Sequence, residues 1–161
     1  MAKEKEIKTN AMRILDKEKI GYQVYSYEND GTCVDGETVA KLIGKNINQT
    51  FKTLITKSNH DYFVFVLPSS HELDLKKAAK VVGMKSVEMI PVKDITTVSG
   101  YVRGGCSPFG MKKQFVTTFD ESALNYESIV FSAGKIGTQM EVRIEDLKKF
   151  PKFSFKDIIK E

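Results

Sequence analysis

The sequence contains few residues of the kinds that bind metal ions. Its 161 residues include two cysteines, Cys33 and Cys106, and two histidines, His60 and His71. The cysteines lie far apart and neither belongs to a Cys-x-x-Cys pair, so the spacing disfavours a structural zinc site. We therefore expect two reduced thiols, no bound metal and no cofactor.

Long hydrophobic runs are also missing. A membrane-spanning helix needs about 18 or more consecutive apolar residues, and no segment approaches that length. The first residues, MAKEKE, alternate in charge and lack the apolar region of a signal peptide. These absences lead us to expect a soluble, cytoplasmic protein with no membrane partner.

The composition is that of a globular protein with a mild positive charge. With 41% hydrophobic and 29% charged residues, residues 1–161 fit one domain that buries about two-thirds of the surface of the unfolded chain. The net charge of +4 favours a partner that carries phosphate. It is too small to identify a nucleic-acid-binding protein by itself.

Hydrophobic periodicity predicts strands in hairpins with helices between them. Helices are predicted over residues 4–19, after an N-cap at Asp35, around 75–82, over 92–98 and over 145–150. Strands are predicted over residues 22–27, 51–56, 62–67, 86–90, 114–119, 128–132 and 139–144. This order favours an α+β fold with a mixed, largely antiparallel sheet that curls towards a barrel.

Lys52 is the first candidate functional residue. It lies within a predicted strand, where alternation places it on the same face as Leu54. If that face is buried, the ammonium group needs a partner or a substrate. The alternative is a lysine on an edge strand that prevents pairing with another sheet.

Two glycine-rich segments could bind an anion. Residues 104–113 and 132–137 each combine glycines, whose amides can approach a ligand, with lysines that could contact phosphate: Lys112, Lys113 and Lys135. The first segment is not a Walker A loop, because Met111 rather than lysine follows Gly110. Either segment alone could be an ordinary turn. Together with Lys52 they favour a shared anion-binding pocket.

A cysteine hydrolase is a further interpretation of these residues. Cys106 would be the nucleophile and His60 or His71 the base, but no local signature connects them. Unpaired cysteines more often pack as small apolar residues, so this interpretation is the weaker one.

Five segments, in this order along the chain, resemble the YbaK family of bacterial cysteinyl-tRNA(Pro) deacylases, which are relatives of the editing domain of prolyl-tRNA synthetases. They are YQVYSYE at 22–28, FKTL at 51–54, LDLKKAAK at 73–80, GY at 100–101 with the loop to residue 113, and SAGKIG at 132–137. The resemblance runs from about residue 9 to residue 158.

The resemblance implies a fold, a site and an activity. The fold is a mixed sheet curved into an irregular barrel with helices outside. Lys52 is the catalytic residue that positions the substrate, and the resemblance and the glycine loops together assign substrate contacts to Tyr27, Thr53, Gly104, Gly105, Ser132 and Gly134. Many relatives have an aspartate where this chain has Gln139, so the resemblance assigns no carboxylate contact there.

The implied activity is trans-editing of mischarged tRNA. The substrate would be Cys-tRNA(Pro), with Cys-tRNA(Cys) as a further one, and the thiol of the bound cysteine would attack its own ester to release a cyclic thiolactone. This route would explain why no convincing nucleophile or base stands out in the sequence. The implied partners are the tRNA acceptor end and, in a transient complex, prolyl-tRNA synthetase.

The alternative is a binding module without turnover. It would hold the tRNA acceptor end or dock on prolyl-tRNA synthetase, and its affinity for tRNA would fall steeply with salt while deacylation stayed at background.

Overall fold

The computed structural model describes residues 8–32 and 34–161. The helices are α1 (Asn10–Lys17), α2 (Gly36–Ile43), α3 (Leu75–Val81), α4 (Ile95–Ser99) and α5 (Ile144–Leu147). The strands are β1 (Gln23–Ser26), β2 (Phe51–Ser58), β3 (Asp61–Pro68), β4 (Glu88–Met89), β5 (Val116–Asp120), β6 (Ser128–Lys135), β7 (Thr138–Arg143) and β8 (Phe153–Lys156).

The strands form two open sheets. One has the order β1-β7-β6 and the other the order β4-β2-β3-β5-β8. The pairs β1/β7, β6/β7, β2/β3 and β2/β4 are antiparallel, whereas β3/β5 and β5/β8 are parallel. The expectation of a mixed, largely antiparallel fold is therefore confirmed.

The expected barrel is wrong, because neither sheet closes on itself. A single parallel bridge between Thr50 and Val130 joins the two sheets among the described residues. A barrel needs a continuous ladder around its circumference, and here the two sheets instead pack face to face over an apolar layer. Because the sheets stay open, part of the β2 edge remains available to a ligand.

The core between the sheets explains why both are stable. Phe51, Val64 and Phe119 come from the larger sheet, and Phe131 and Met140 come from the smaller one. Each buried aromatic or large aliphatic side chain contributes about 1.5–3 kcal/mol through removal of its surface from water. A second apolar cluster lies between the other face of β3 and α3.

Local signals place the helix ends. The side chain of Asp35 accepts a hydrogen bond from the Thr38 amide at 2.8 Å, as the N-cap assignment predicted, and Gly44 ends α2 with a φ of 71°. Thr9 caps α1 in the same way. The predicted start of that helix at residue 4 lies outside the described residues.

The structure differs from the sequence-based expectations in two other places. The segment predicted as one helix over 92–98 is a 3₁₀ turn, Val92–Asp94, followed by α4. Strand β8 was not predicted at all. In the part of the chain that the structure describes, no helix has the length and apolar character needed to cross a bilayer.

Candidate functional site

A cavity of about 440 Å³ lies where the free edge of β2 meets the smaller sheet. Its walls come from β2, from the start of α2, from the 103–106 loop, and from the face of the smaller sheet that turns away from the core. The lining includes Tyr27, Lys52, Thr53, Arg103, Gly104 and Ser132. Five of these, all but Arg103, are residues that the sequence singled out.

Lys52 is half-buried in this cavity. In the described part of the chain its ammonium group makes no hydrogen bond or ion pair, although the charge of Glu72 acts on it. Burial lowers the pKa of Lys52 below its ordinary value, and the Glu72 carboxylate only partly offsets that effect. A desolvated cation without a close partner is the kind of group that a bound anion or polar substrate stabilises.

The topology also bears on the alternative interpretation of Lys52. Strand β4 pairs with β2 only at Thr56 and Lys57, so Lys52 does lie on an edge segment. A lysine that only prevents sheet pairing would extend into water and keep its ordinary pKa. The partial burial of Lys52 in a cavity therefore favours a ligand-binding role.

The smaller sheet contributes Ser132 and Gln139, which are cross-strand neighbours on β6 and β7. Phe131 and Met140 beside them face the core, so alternation directs Ser132 and Gln139 to the opposite face, towards the cavity. The ladder becomes irregular just after Ser132, and such bulges are common next to functional sites. Ser132 Oγ accepts a hydrogen bond from the Gly134 amide at 3.1 Å.

Gln139 is 6% exposed, and its side-chain amide has no hydrogen-bond partner among residues 8–32 and 34–161. It offers both a donor and an acceptor to anything in the cavity. Sequence reasoning noted Gln139 only as a departure from relatives and did not assign it to the site.

The first glycine loop has two parts with different surroundings. Arg103, Gly104 and Cys106 line the cavity. Gly105 does not: a Cβ there would lie 3.2 Å from Lys135 Cα, which indicates close packing of this loop on the β6–β7 turn. Gly110, at the other end, packs on Tyr101 and α1.

The second glycine segment is mostly a packing feature. Gly134 has a φ of 107°, and a Cβ on it would lie 2.9 Å from the Tyr101 ring. Gly134 does not line the cavity, whereas Ser132 at the start of the same segment does. The substrate contacts assigned to Gly105 and Gly134 therefore have no support from the cavity lining and stay predictions.

Three exposed lysines lie on the two glycine segments, and Arg103 directly precedes the first of these segments. Lys112 packs along Gly100, Lys113 follows it, and the main chain of Lys135 packs against Gly105. None of these lysines lines the cavity, whereas Arg103 does. Sequence reasoning missed Arg103, although its place directly before Gly104 could have drawn attention to it.

Cys106 has the surroundings of a protonated thiol. Burial raises its pKa, with a partial offset from the Ser99 hydroxyl, and its Sγ lies 3.8 Å from the Val102 carbonyl oxygen. No described histidine lines the cavity: His60 is in the β2–β3 turn, and His71 lines a separate surface groove. The cysteine-hydrolase interpretation thus lacks both a thiolate and a base. Cys33 lies outside the described residues.

A polar network supports this face of the smaller sheet beside the cavity. The carboxylate of Glu141 accepts hydrogen bonds from Ser128 and from Tyr25, the latter at 2.7 Å, and pairs with Lys45 at 3.1 Å. Burial would raise the pKa of Glu141, but these donors together lower it. Because Lys45 directly follows Gly44 at the end of α2, the network holds that helix against β1 and β7.

The site as a whole can bind and polarise an ester, but it lacks the groups of a conventional hydrolase. It offers a desolvated cation, hydroxyls and an amide. Asp35 lines the rim, but both of its oxygens are engaged by the main chain and hydroxyl of Thr38. Positioning and electrostatic stabilisation are therefore the chemistry that the arrangement can supply.

The fold belongs to the class of aminoacyl-tRNA editing domains. A family model with that description matches residues 31–150. The chain is 44% identical over 160 residues to EbsC of Enterococcus faecalis, a candidate Cys-tRNA(Pro)/Cys-tRNA(Cys) deacylase, and the alignment covers 98% of each chain. The chain therefore belongs to the aminoacyl-tRNA editing domain family, and the resemblance to YbaK proteins predicted from the sequence is confirmed.

Two further proteins are similar to this chain. A proline–tRNA ligase of Methylobacillus flagellatus is 29% identical over 109 residues, which cover 65% of this chain and 18% of the ligase. The crystal structure of a candidate trans-editing enzyme for prolyl-tRNA synthetase has a TM-score of 0.81 at 19% identity, covering 97% of this chain and 100% of that one. The structural likeness shows the shared fold.

Proposed function

We propose that this chain is one trans-acting editing domain that deacylates mischarged Cys-tRNA(Pro), and also Cys-tRNA(Cys), in the cytoplasm. The observation that carries the proposal is Lys52, a half-buried ammonium group without a close partner in the described structure, at the wall of a cavity that also contains Ser132, Gly104 and Gln139. The name of EbsC supports cysteine as the amino acid.

Editing of this kind has a physical rationale. A synthetase site rejects a slightly smaller amino acid by only about 10–200-fold through binding, so a second site that removes the error improves fidelity. The cavity of about 440 Å³ has room for an amino acid and part of the terminal ribose. Arg103 at the cavity, with Lys112, Lys113 and Lys135 on the neighbouring segments, would contact the phosphates of the acceptor end.

The proposed reaction uses the thiol of the substrate. The sulfur of the esterified cysteine attacks its own carbonyl carbon, the bond between that carbon and the ribose oxygen breaks, and a thiolactone leaves. The proton from the thiol passes through solvent to the ribose oxygen. Lys52 donates a charge-assisted hydrogen bond to the substrate. Holding the thiol and the ester within reach of each other contributes several kcal/mol, and in ideal cases roughly 7–11 kcal/mol.

A comparison of substrates tests this function. Cys-tRNA(Pro) should be deacylated at least about 100-fold faster than Ser-tRNA(Pro) and Ala-tRNA(Pro), because only cysteine supplies the nucleophile and a lost nucleophile costs several kcal/mol. The measurement is loss of radiolabelled amino acid from each tRNA, beside a protein-free control. Equal rates for cysteine and serine would refute attack by the substrate thiol.

Two variants separate the remaining alternatives. Cys106→Ser should retain deacylation, because the protein thiol takes no part; loss of turnover in a folded Cys106→Ser variant would restore the cysteine-hydrolase interpretation. A module that only binds the acceptor end or prolyl-tRNA synthetase would show salt-sensitive tRNA binding with deacylation at background for every substrate.

Gln139 should act in substrate binding and not in folding. Gln139→Leu removes a side-chain amide that has no partner in the described structure, so thermal stability should change little. Loss of one neutral hydrogen bond to the substrate costs about 0.5–1.5 kcal/mol, or roughly 2- to 13-fold in kcat/KM. Thermal unfolding and deacylation kinetics of Gln139→Leu, with Gln139→Asn as the shortened-amide control, check this; unchanged kinetics in Gln139→Leu would remove the residue from the site.

A further inference from the structure

The main chain of Thr53 lies at a gap in the hydrogen bonding of the β2 edge. The β2–β3 hairpin has a two-residue turn, so Ser58 and Asp61 form its closing hydrogen-bonded pair. In an antiparallel pair alternate residues bond to the partner strand. Thr56, Leu54 and Lys52 therefore bond to β3, whereas the N–H and C=O groups of Ile55 and Thr53 point to the other edge.

The contacts on that other edge agree with this assignment. The carbonyl oxygen of Ile55 accepts a hydrogen bond from the Ile90 amide at 3.2 Å. At the opposite end of the segment, the bridge between Thr50 and Val130 joins β2 to β6. Thr53 lies between these two connections, and in residues 8–32 and 34–161 nothing pairs with its main chain on this edge.

The cavity occupies this gap. Thr53 lines it together with Lys52 and Leu54. One main-chain donor and one main-chain acceptor, both from Thr53, therefore face the cavity beside the Lys52 side chain.

We propose that the aminoacyl group of the substrate fills the gap as a single-residue extension of the sheet. In a hydrogen-bonded antiparallel pair, two residues exchange both of their N–H···O bonds. An α-amino acid ester carries an amine and a carbonyl at the same spacing as a residue in a peptide. Its amine would donate to the Thr53 carbonyl oxygen, and its ester carbonyl would accept from the Thr53 N–H.

This arrangement assigns separate tasks to the parts of the cavity. The Thr53 main chain recognises groups that every L-amino acid ester has, so it fixes the orientation of the ester and leaves the choice of side chain to the remaining walls. It also supplies a main-chain donor to the carbonyl oxygen on which negative charge develops during attack. The inference rests on the proposed function for its substrate, but it makes its own prediction about one amide.

Amide hydrogen exchange tests the inference directly. The probe is 3′-cysteinylamino-3′-deoxyadenosine, an amide analogue of the end of the charged tRNA that the protein cannot hydrolyse by ester cleavage. In ¹⁵N-labelled protein saturated with this analogue, exchange at the Thr53 amide should slow at least 10-fold. The Lys57 amide, which faces the same edge but is covered by β4, is the internal control and should not change.

The outcomes of this experiment separate the two proposals. If resonances of Ser132 and Gly104 shift on addition of the analogue while Thr53 exchange is unchanged, the sheet-extension mode is wrong and the proposed function stands. If no cavity resonance responds at any concentration up to the solubility limit, the cavity does not bind this ligand and both proposals are wrong. Protection of Thr53 with no turnover of Cys-tRNA(Pro) would support the binding mode and refute the deacylase.

A pair of variants adds a kinetic test. Thr53→Pro removes the N–H that faces the cavity. That N–H makes no hydrogen bond in the β2–β3 ladder, and proline is tolerated at such edge positions. Its kcat/KM for Cys-tRNA(Pro) should be at least 10-fold lower than that of Thr53→Val, which loses the same hydroxyl but keeps the N–H. Equal kinetics for Thr53→Pro and Thr53→Val would overturn the inference; should Thr53→Pro fail to fold, the exchange experiment on the native chain decides.

Discussion

Lys52→Ala is expected to lower kcat/KM for Cys-tRNA(Pro) by about 100- to 1000-fold, the loss typical when a single donor to a developing oxyanion is removed. The physical reason is the state of the ammonium group before substrate binds. It is half-buried, burial lowers its pKa, and no hydrogen bond or ion pair holds it in the described structure. Its charge is therefore available to the ester as soon as the substrate displaces water from the cavity.

The same variant should fold normally. Removing a partly buried cation that has no close partner relieves a desolvation cost, so the melting temperature of Lys52→Ala should equal or exceed that of the native chain. Lys57→Ala is the matched control, since Lys57 lies on the same strand but outside the cavity, where its ammonium approaches the Tyr62 ring at 5.9 Å. Native-like deacylation by a folded Lys52→Ala variant would refute the assignment.

The pH dependence of deacylation gives an independent test of the role of Lys52. Its folded-state pKa is lowered, so the ammonium form is lost at a lower pH than for a lysine in water. Deacylation should first rise with pH as the substrate thiol ionises and then fall as Lys52 loses its proton. Lys52→Arg, where it retains activity, should lack the falling limb, because arginine stays protonated over this range.

Much of the fold could be predicted from the sequence because local signals dominate it. The two-residue turn between β2 and β3 and the cap at Asp35 are set by residues close together in the chain. The pairing of β3 with β5 and of β5 with β8 is parallel and joins distant segments, so no local pattern indicated it. Strand β8 was missed for the same reason, and the open sheets were mistaken for a barrel.

The same difference between local and long-range signals applies to the candidate site. Lys52, Ser132 and Gly104 were singled out as chemically unusual residues, and the fold brings all three to one cavity. Arg103 and Gln139 were not assigned roles, because only the tertiary arrangement shows that one lies at the cavity and that the other is buried without a partner. Sequence reasoning also grouped residues 104–113 as one loop, whereas its two ends have different surroundings.

Gly110 lies at the end of the 104–113 loop that packs against Tyr101 and α1. Its φ is 80°, and a Cβ on it would lie 2.4 Å from Tyr101 Oη and 2.9 Å from the Ala11 amide nitrogen. Tyr101 cannot easily move away, because it is buried and its hydroxyl donates to the Phe109 carbonyl oxygen at 2.5 Å. Burial raises the pKa of Tyr101 to about 12, which keeps that donor protonated.

Gly110→Ala should therefore destabilise the protein strongly. Left-handed strain costs about 1–2 kcal/mol, and overpacking against Tyr101 and α1 adds roughly 1–3 kcal/mol. Urea unfolding should show a loss of about 2–5 kcal/mol, and the melting temperature should fall by roughly 2–4 °C for each kcal/mol.

Gly83→Ala is the control that separates these two costs. Gly83 has a φ of 70°, close to that of Gly110, but nothing lies within 4 Å of the position its Cβ would take. It should therefore lose only the strain of about 1–2 kcal/mol. Equal losses in the two variants would show that Tyr101 and α1 yield to the added methyl group. If Gly110→Ala deacylates like the native chain at a temperature where it is folded, the Gly110 end of the loop acts in folding. Ligand contacts then come from the other end, at Arg103 and Gly104.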